Sequence, residues 1–373
     1  MQYRKFGNTG IKVSVLGFGA MRLPQEQIEG KFQVKQEESV EIIQRAFELG
    51  VNYIDTAYTY NGGQSELAVG RALRNWRGRV YLSTKMPTWY VKETNDYRRF
   101  LEAELERLGV EYVDFYHFHS LNEDTFKNIV LKYNLLREAR KARDEDLIKH
   151  ISFSFHDKPE VMKRIIDVGI FESVLCQYNL LDRSNEEAIV YAKEKGLGVA
   201  IMGPVGGGRL ASSAILKEVV SGSIKSTPEL ALRFVLANEN VSIALSGMDN
   251  IRMVEENARV ASLSKPLSNE ELQTIETFIK ERRKKQEIPC NMCEYCQPCP
   301  NKVAISRIFE LMNYYNVFGL KEYALGEYQN IGSGEKDERE KADACTECGR
   351  CEGKCPQKIK IMEKLKEIHQ VLG

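Results

Sequence analysis

The chain has 373 residues, 43% of them hydrophobic, so it can bury a large core, and its length alone suggests two or three units. Lysine plus arginine equals aspartate plus glutamate at 53 each, so no global field attracts it to nucleic acid or anionic lipid. No stretch approaches the length of a membrane span, and residues 1–20 lack the continuous apolar segment of a signal peptide. These patterns predict a cytoplasmic protein that binds neither nucleic acid nor membrane.

Short β-branched or apolar runs alternate with longer amphipathic stretches between residues 11 and 260. The predicted strands begin near residues 13, 51, 79, 112, 149, 173, 197 and 241. Regular alternation of strand and helix favours a parallel sheet, and eight units in about 250 residues are what a closed (β/α)8 TIM barrel needs. A doubly wound open sheet is the alternative. Residues 1–10 predict a small extra hairpin strand that closes the bottom of the barrel.

The barrel is predicted to span residues 1–265, and residues 266–373 to form a small, mostly helical second domain. Within this second domain, apolar residues recur at helical spacing in residues 268–288, 302–320 and 358–372. The predicted fold class is therefore α/β, with a barrel followed by a smaller helical domain.

Eight of the nine cysteines fall into two groups in this second domain, and a proline closes each group. The groups are Cys290, Cys293, Cys296 and Cys299, then Cys345, Cys348, Cys351 and Cys355. The second group has the ferredoxin spacing Cys-x-x-Cys-x-x-Cys-x-x-x-Cys-Pro, in which three thiolates hold one cubane cluster and the fourth reaches the other cluster. The first group has one residue fewer before its last cysteine. In a cytoplasmic protein such cysteines are metal ligands more often than disulfides.

The cross-over rule predicts which cysteines bind each of two [4Fe-4S] clusters. One set is Cys290, Cys293, Cys296 and Cys355, and the other is Cys345, Cys348, Cys351 and Cys299. Two structural zinc sites are the alternative, since four thiolates also suit Zn²⁺. Zinc ribbons usually separate two Cys-x-x-Cys pairs by a longer loop, whereas here the cysteines repeat at short intervals. The spacing therefore favours ferredoxin-type iron–sulfur clusters.

Four polar residues lie at or just after the carboxyl ends of predicted strands, where barrel enzymes place their catalytic groups. Asp55 ends the second strand, Tyr60 follows it, Lys85 ends the third strand and His119 ends the fourth. A neighbouring ammonium stabilises a phenolate, and Lys85 can do so for Tyr60 if Asp55 holds it in place. With His119 orienting a substrate carbonyl, Tyr60 can protonate the carbonyl oxygen as a hydride reaches the carbon.

At these residues the chain resembles the aldo-keto reductases, over roughly residues 1–262. The motifs are NYIDTAYTYNGGQSE around Asp55 and Tyr60, LSTKM around Lys85, and ERLGVEYVDFYHFHS, which contains His119. With its cysteine tail, the whole chain resembles the ferredoxin-tailed branch of that family. The resemblance implies a (β/α)8 barrel, a nicotinamide cofactor at the strand ends, and reduction of an aldehyde or ketone.

The resemblance also assigns residues to the nicotinamide cofactor. Ser154 and Gln177 match the pair that holds the carboxamide, and Met202 stands where a tyrosine commonly stacks on the nicotinamide. Ser246 and Gly247 begin the expected phosphate loop. The full set of predicted contacts is Met21, Ser154, Gln177, Met202, Gly203, Gly206, Ser246, Gly247, Arg252, Glu256 and Asn257, of which Glu256 and Asn257 match contacts to the adenine.

The choice between NADH and NADPH depends on a cationic site for the 2′-phosphate. Family members that select NADPH place lysine or arginine where this chain has Gly247, Asp249 or Met253. Arg252 is the cation that the sequence places nearby. We therefore expect NADH to be used at least as well as NADPH.

A hydride carries two electrons, whereas a cubane cluster passes one at a time. Clusters that feed the barrel therefore need a flavin as a converter, or a substrate that tolerates a radical intermediate. The leading hypothesis is an NAD(P)H-dependent carbonyl oxidoreductase whose tail exchanges electrons with the active site or with a ferredoxin or flavoprotein. The alternatives are a redox-sensing, nucleotide-binding regulator and an electron carrier with the barrel as its scaffold. The intact set of four polar residues counts against both.

Overall fold

The computed structural model describes residues 1–211, 213, 215–219, 223–263, 267–284, 288–290, 292–334 and 337–373. The strands are β1 (Tyr3–Lys5), β2 (Lys12–Ser14), β3 (Leu16–Gly19), β4 (Gln25–Ile28), β5 (Lys31–Val34), β6 (Tyr53–Asp55), β7 (Tyr81–Met86), β8 (Val113–Leu121), β9 (Ile148–Phe155), β10 (Ser173–Gln177), β11 (Gly198–Met202) and β12 (Ile243–Ser246).

The helices, in chain order, are α1 (Gln36–Glu48), α2 (Gln64–Leu73), α3 (Asp96–Leu108), α4 (Glu123–Thr125), α5 (Leu135–Asp144), α6 (Pro159–Ile166), α7 (Glu186–Glu194), α8 (Thr227–Ala237), α9 (Ile251–Ala261), α10 (Asn269–Lys284), α11 (Ile305–Val317), α12 (Lys321–Gln329) and α13 (Ile361–Leu372). Short 3₁₀ segments lie at Tyr60–Gly63, Thr88–Tyr90, Gly206–Ala211, Leu216–Val219, Ala342–Ala344 and Glu352–Lys354, and a π-helical segment at Phe126–Leu131.

Within the described residues, eight parallel strands, β3 and β6 to β12, close into a barrel. Each of these strands pairs with the next one along the chain, and β12 pairs with β3. Helices cover the outside of such a barrel and side chains fill its inside, which explains why β10 and β11 are almost entirely buried. The predicted (β/α)8 barrel is confirmed, and the pairing of β12 with β3 excludes the open doubly wound sheet.

The predicted amino-terminal hairpin strand is confirmed as β1, which pairs antiparallel with β2. Phe6 follows β1 and is fully buried, with its ring centroid 5.7 Å from that of Tyr53 and 4.9 Å from that of Phe115. Gly7 has φ +56°, and a Cβ there would lie 2.3 Å from the amide nitrogen of Gly198. Glycine therefore lets the hairpin lie against the amino end of β11 and close the bottom of the barrel.

The chain divides into two compact units. The first is the barrel, residues 1–207 and 229–268, and the second comprises residues 208–228 and 269–373. The second unit therefore includes most of the connection between β11 and α8, a stretch that the sequence assigns to the barrel. The predicted boundary between residues 265 and 266 lies outside the described residues, and that division remains a prediction.

The second unit is mostly helical. Helices α10, α11 and α13 lie within the three stretches predicted to be helical, and α12 was not predicted. Helix α11 packs against both α12 and α13. Among the described residues, every helix is too short or too polar to cross a bilayer.

Candidate functional site

The predicted catalytic residues Asp55, Tyr60 and Lys85 meet at the carboxyl end of the barrel. The Lys85 ammonium donates hydrogen bonds to Asp55 Oδ1 at 2.5 Å, to the Thr56 carbonyl oxygen at 2.7 Å and to the Tyr60 hydroxyl at 3.1 Å. The Ser83 hydroxyl donates to Asp55 Oδ2 at 2.8 Å. Because an ammonium has three donors, all three are used, and one is directed at the phenol oxygen.

Asp55 and Lys85 form a buried ion pair, with 3% and 1% of their surfaces exposed. Burial raises the pKa of Asp55 above its ordinary value, although the Lys85 ammonium opposes the shift. Burial lowers the pKa of Lys85, but Asp55 and Tyr60 outweigh it, so the pKa of Lys85 lies above its ordinary value. Lys85 therefore remains positively charged at neutral pH and can stabilise negative charge on the Tyr60 oxygen.

His119 completes the predicted set of four. Its ring lies edge-on to that of Tyr60, at 5.9 Å between centroids, and 4.8 Å from the Trp89 ring. Thr88 Oγ1 donates a hydrogen bond of 2.7 Å to the His119 carbonyl oxygen. Burial, and then the charge of Lys85, lowers the pKa of His119 to about 2. The imidazole is therefore neutral at physiological pH and can donate a hydrogen bond without giving up a proton.

A second histidine lies in the barrel interior next to this set. His117 is 1% exposed and stands on β8 in register with Lys85 on β7 and Ser152 on β9. Burial, and then Lys85, lowers its pKa to about 3. His117 is therefore a neutral part of the barrel core beside Lys85.

The residues predicted to hold the carboxamide lie at the ends of β9 and β10. Ser154 Oγ accepts a hydrogen bond from the Ser120 amide at 2.7 Å. Gln177 ends β10 in register with Met202 at the end of β11. Gly203 has φ +64°, and a Cβ there would lie 2.7 Å from the Gln177 amide group. Glycine at this position leaves space for that amide.

The predicted phosphate loop and adenine contacts follow β12. Asn257 Nδ2 donates a hydrogen bond of 3.2 Å to Ser246 Oγ, which ties α9 to the end of this strand. Arg252 Nε donates to Glu256 Oε1 at 2.8 Å, and 86% of the Arg252 side chain is exposed. The two charged side chains predicted to contact the cofactor thus bind each other.

The glycines of this region lie around a cation that the sequence analysis missed. Gly206 opens a 3₁₀ segment, and its amide donates to the Gly203 carbonyl oxygen at 2.8 Å. A Cβ on the next residue, Gly207, would lie 3.0 Å from Arg22 Nη2, and a Cβ on Gly247 would lie 3.3 Å from Arg22 Cβ. Arg22 therefore lies between the segments that follow β11 and β12.

The sequence signal for Arg22 was weak. It is one basic residue shortly after β3, next to Met21, which is 58% exposed and whose carbonyl oxygen accepts a hydrogen bond from Asn61 at 3.3 Å. The contacts of Arg22 with the two glycines join segments far apart in the chain, and spacing along the sequence does not reveal them.

A second buried polar network lies beside strand β7, which carries Lys85. The Thr84 hydroxyl lies 2.7 Å from Glu66 Oε1 and 3.1 Å from Glu104 Oε1. Arg107 pairs with Glu66 at 2.7 Å, and the Tyr116 hydroxyl donates to Glu104 at 2.5 Å. Burial raises the pKa of Glu66 to about 7 and the pKa of Glu104 well above its ordinary value. The pair therefore retains a proton near neutral pH.

The cysteines of the second unit line two cavities among the described residues. One is lined by Cys290, Cys293, Cys296 and Cys355. The other is lined by Cys299, Cys345, Cys348 and Cys351, and Cys296 lines it as well. All nine cysteines are described, and none forms a disulfide. Each cavity thus gathers the four cysteines that the cross-over rule groups together.

The chemistry of these cavities fits a cluster better than a single ion. No group of three or more His, Cys, Asp or Glu residues in the described part of the chain is placed to bind one metal ion. A cubane binds its four thiolates at four separate irons, so its ligands stand farther apart than those of one zinc ion. Burial raises the pKa of Cys296 to about 11, so its thiolate needs a nearby positive centre.

Comparison with known proteins decides the family of the barrel. The model of the "Aldo/keto reductase family" matches residues 15–280. The chain belongs to the aldo/keto reductase family. A second model, described as "4Fe-4S dicluster domain", matches residues 288–359. This aldo/keto reductase is therefore an oxidoreductase with an appended iron–sulfur domain.

The relatives of this aldo/keto reductase match it over most of their own length. The L-galactose dehydrogenase of Arabidopsis thaliana is 29% identical over 75% of this chain and 95% of its own. The uncharacterized oxidoreductase YqkF of Bacillus subtilis is 26% identical over 75% of this chain and 97% of its own. The holo form of aldo-keto reductase AKR11C1 from Bacillus halodurans superimposes with a TM-score of 0.65 at 27% identity, covering 74% of this chain and 96% of that chain.

Proposed function

We propose that this protein reduces an aldehyde or ketone with a hydride from NAD(P)H, and that Tyr60 supplies the proton. The observation that carries the proposal is the Lys85 ammonium, which bridges Asp55 and the Tyr60 hydroxyl. A structural tyrosine does not require a buried cation at its oxygen, whereas a proton donor does, because the phenolate left behind must be stabilised.

The chain's own residues account for the proton transfer. Tyr60 gives its proton to the carbonyl oxygen while the hydride arrives at the carbonyl carbon, which converts C=O into CH–OH. The negative charge left on Tyr60 faces the Lys85 ammonium, and Asp55 holds that ammonium in place. A proton from solvent then restores the phenol.

His119 and Trp89 form a wall beside Tyr60. The neutral His119 ring donates a hydrogen bond that orients the carbonyl oxygen, and it does not compete with Tyr60 as the acid because its pKa is lowered to about 2. Trp89 supplies an apolar surface for the substrate.

The residues at the strand ends fit a nicotinamide dinucleotide, which supplies the hydride when bound. Ser154 and Gln177 would hold the carboxamide, and Arg22 would neutralise the diphosphate from its position between Gly207 and Gly247. Arg252 is paired with Glu256, so the Glu256 carboxylate competes with a 2′-phosphate for its guanidinium. We therefore expect NADH to bind at least as well as NADPH. Equilibrium titration in which NADPH binds much more tightly would contradict this expectation.

The second unit is proposed to hold two [4Fe-4S] clusters, one in each cysteine cavity. The four cysteines at each cavity and their predicted cross-over support this assignment. After anaerobic reconstitution we expect about eight irons per chain. About four irons would leave one cluster, and stoichiometric zinc in protein purified without added metal would favour structural zinc sites.

The clusters are proposed to exchange electrons with the barrel or with a carrier protein. A nicotinamide transfers two electrons and a cluster one, so direct reduction of the clusters by NAD(P)H is expected to be slow without a flavin. Cluster bleaching by NAD(P)H, recorded anaerobically with and without FMN, tests this expectation. Fast bleaching without flavin would show that the protein already contains a converter.

The test of the proposed function is an anaerobic screen of carbonyl compounds read by NAD(P)H absorbance. Aldoses, including L-galactose, form the first set because one relative is a named L-galactose dehydrogenase. Turnover of any carbonyl compound that requires Tyr60 supports the proposal. Cofactor binding without turnover across a broad screen would instead favour the redox-sensing alternative.

A further inference from the structure

The second cysteine cavity reaches the protein surface through one of its cysteines. Among the eight predicted cluster ligands, all of which the structure describes, Cys348 alone is exposed. Its neighbour Gly349 has φ +72°, and no atom other than those of the adjoining residues lies within 4 Å of where a Cβ would stand. The first cavity has no exposed cysteine, and Ile305, Phe309 and Ile361 on its wall are buried. Since electron tunnelling falls steeply with distance, a carrier protein can exchange electrons fastest at Cys348.

Basic residues outnumber acidic residues in the segment that carries this exposed cysteine. Residues 341–360 contain five lysines or arginines against three aspartates or glutamates. Arg350, Lys354 and Lys358 are exposed, and none of them has an ion-pair partner within the described part of the chain. Glu352 is one of the three acidic residues, and its carboxylate accepts a hydrogen bond from a backbone amide at 3.0 Å.

We propose that the exposed residues Cys348, Arg350, Lys354 and Lys358 of segment 345–358, called here the Cys348 surface, dock a small acidic one-electron carrier protein. The inference rests on the proposed function in requiring a cluster on Cys299, Cys345, Cys348 and Cys351. One electron passes between this cluster and the carrier, so one is oxidised as the other is reduced. No bond or proton moves in the step.

Positive and negative charges compete near Cys348, so the sign of the local electrostatic field tests the proposal. The thiolates and sulfides of a cluster carry net negative charge, and Glu347 is exposed beside Cys348. Three unpaired cations must outweigh these charges if the surface is to attract an acidic carrier. Electrostatic steering of this kind changes association rates by about 10-fold to 10³-fold and weakens as salt is added.

The first experiment uses two inorganic oxidants of opposite charge. The holoprotein is reduced with dithionite, freed of excess reductant, and mixed by stopped flow with hexacyanoferrate(III), an anion, or hexaammineruthenium(III), a cation. We expect added salt to slow oxidation by the anion and to accelerate oxidation by the cation. The opposite salt dependence would overturn the proposal, because it would show a negative field at the exposed cluster.

Reversing the charges of the Cys348 surface tests whether these residues cause the salt dependence of the oxidation rate. The variant Arg350→Glu, Lys354→Glu, Lys358→Glu is expected to be oxidised by hexacyanoferrate(III) about 10-fold more slowly at low salt. The matched control is Lys217→Glu, Lys225→Glu, Lys280→Glu, which reverses three exposed lysines of the same unit outside the cysteine segments. The control should change the rate less than about twofold. An equal effect in both variants would assign the steering to net charge and overturn the proposal.

A protein probe extends the test to docking. An acidic ferredoxin should oxidise the reduced protein with saturation kinetics, and the Cys348-surface variant should raise the half-saturating concentration about 10-fold. Iron content and the EPR signal of the reduced clusters are measured in every variant. Absent clusters would count against the proposed function, whereas intact clusters with unchanged rates in the surface variant would overturn this inference alone.

Discussion

The barrel site and the cysteine cavities differ in what holds their functional groups in place. In the barrel, the Lys85 ammonium donates to Asp55, Thr56 and Tyr60, so the proposed catalytic side chains position one another. In the second unit, the cysteines line two cavities without disulfides, and a bound cluster is what would join them. The barrel site is therefore preorganised by hydrogen bonds, whereas the group proposed to bind the cysteines would add the links between them.

This difference implies that a substitution can inactivate the barrel or the cysteine cavities without affecting the other. Loss of a barrel hydrogen bond should remove carbonyl chemistry and leave the clusters intact. Loss of a cluster should leave hydride transfer intact, provided that electrons come from NAD(P)H. Four variants test this separation, in order of decreasing effect.

The largest effect is expected for Tyr60→Phe, which removes the proton donor and keeps the ring. The rate of carbonyl reduction should fall about 10³-fold, while iron content and the EPR signal stay unchanged. Tyr58→Phe is the matched control, since the Tyr58 ring packs on Phe100 and lies outside the proposed proton path. Steady-state kinetics with any substrate from the screen provide the measurement. Loss of clusters in Tyr60→Phe would contradict the independence of the two halves.

The next effect concerns the buried carboxyl pair of the barrel. In the folded chain the pKa of Glu66 is raised to about 7, against an ordinary value of 4.5. Such a group stabilises the fold fully below about pH 4.5, and this contribution is lost as the pH rises through about 7. As the pH rises from about 4.5 to about 7, this loss should lower the free energy of unfolding of the barrel by up to about 3 kcal/mol, or about 10²-fold in the unfolding constant.

The variant Glu104→Gln should reduce this pH dependence, because it keeps the shape and removes one ionisable group. Urea unfolding at several pH values, followed by tryptophan fluorescence, measures it. Both tryptophans, Trp76 and Trp89, lie in the barrel unit, so this signal reports the barrel. Cluster absorbance in the same titrations is the control for the second unit. An unchanged pH dependence of the fluorescence transition in Glu104→Gln would show that the pair is not its source.

A smaller effect is expected for Arg22→Ala, which removes the cation between Gly207 and Gly247. Loss of a charge-assisted hydrogen bond to the diphosphate should weaken NADH binding about 10-fold. Arg252→Ala, which removes a cation already paired with Glu256, should change NADH binding less than about twofold. Fluorescence titration of both variants measures the difference. Equal losses would contradict the assignment of Arg22 to the diphosphate.

The smallest effect is expected for Cys345→Ala, which removes one predicted ligand of the second cluster. Iron content should fall by about half, and NAD(P)H-dependent carbonyl reduction should stay within about twofold of wild type. Cys176→Ala is the control, since this ninth cysteine is buried in the barrel strand β10. If Cys345→Ala abolishes turnover, electrons for the barrel come through the tail, and the two halves are functionally coupled.

Sequence reasoning predicted the barrel and the catalytic set because both depend on regular spacing. Parallel strands all end at one face of a barrel, so Asp55 and Lys85 at the ends of neighbouring strands had to converge. It did not predict helix α12, whose apolar residues do not gather on one face. It also did not place residues 208–228 with the second unit, because that association is visible only as contacts in space.

The sequence by itself determined the number of barrel strands, the four polar residues at the strand ends and the family, because these depend on residue types at fixed spacings. Tertiary structure alone decided that Arg22 lies between two distant glycines, that His119 is neutral, and that Cys348 is the exposed cysteine. Burial sets the cost of charging a side chain, and long-range packing decides which groups meet. Neither quantity can be read from neighbours along the chain.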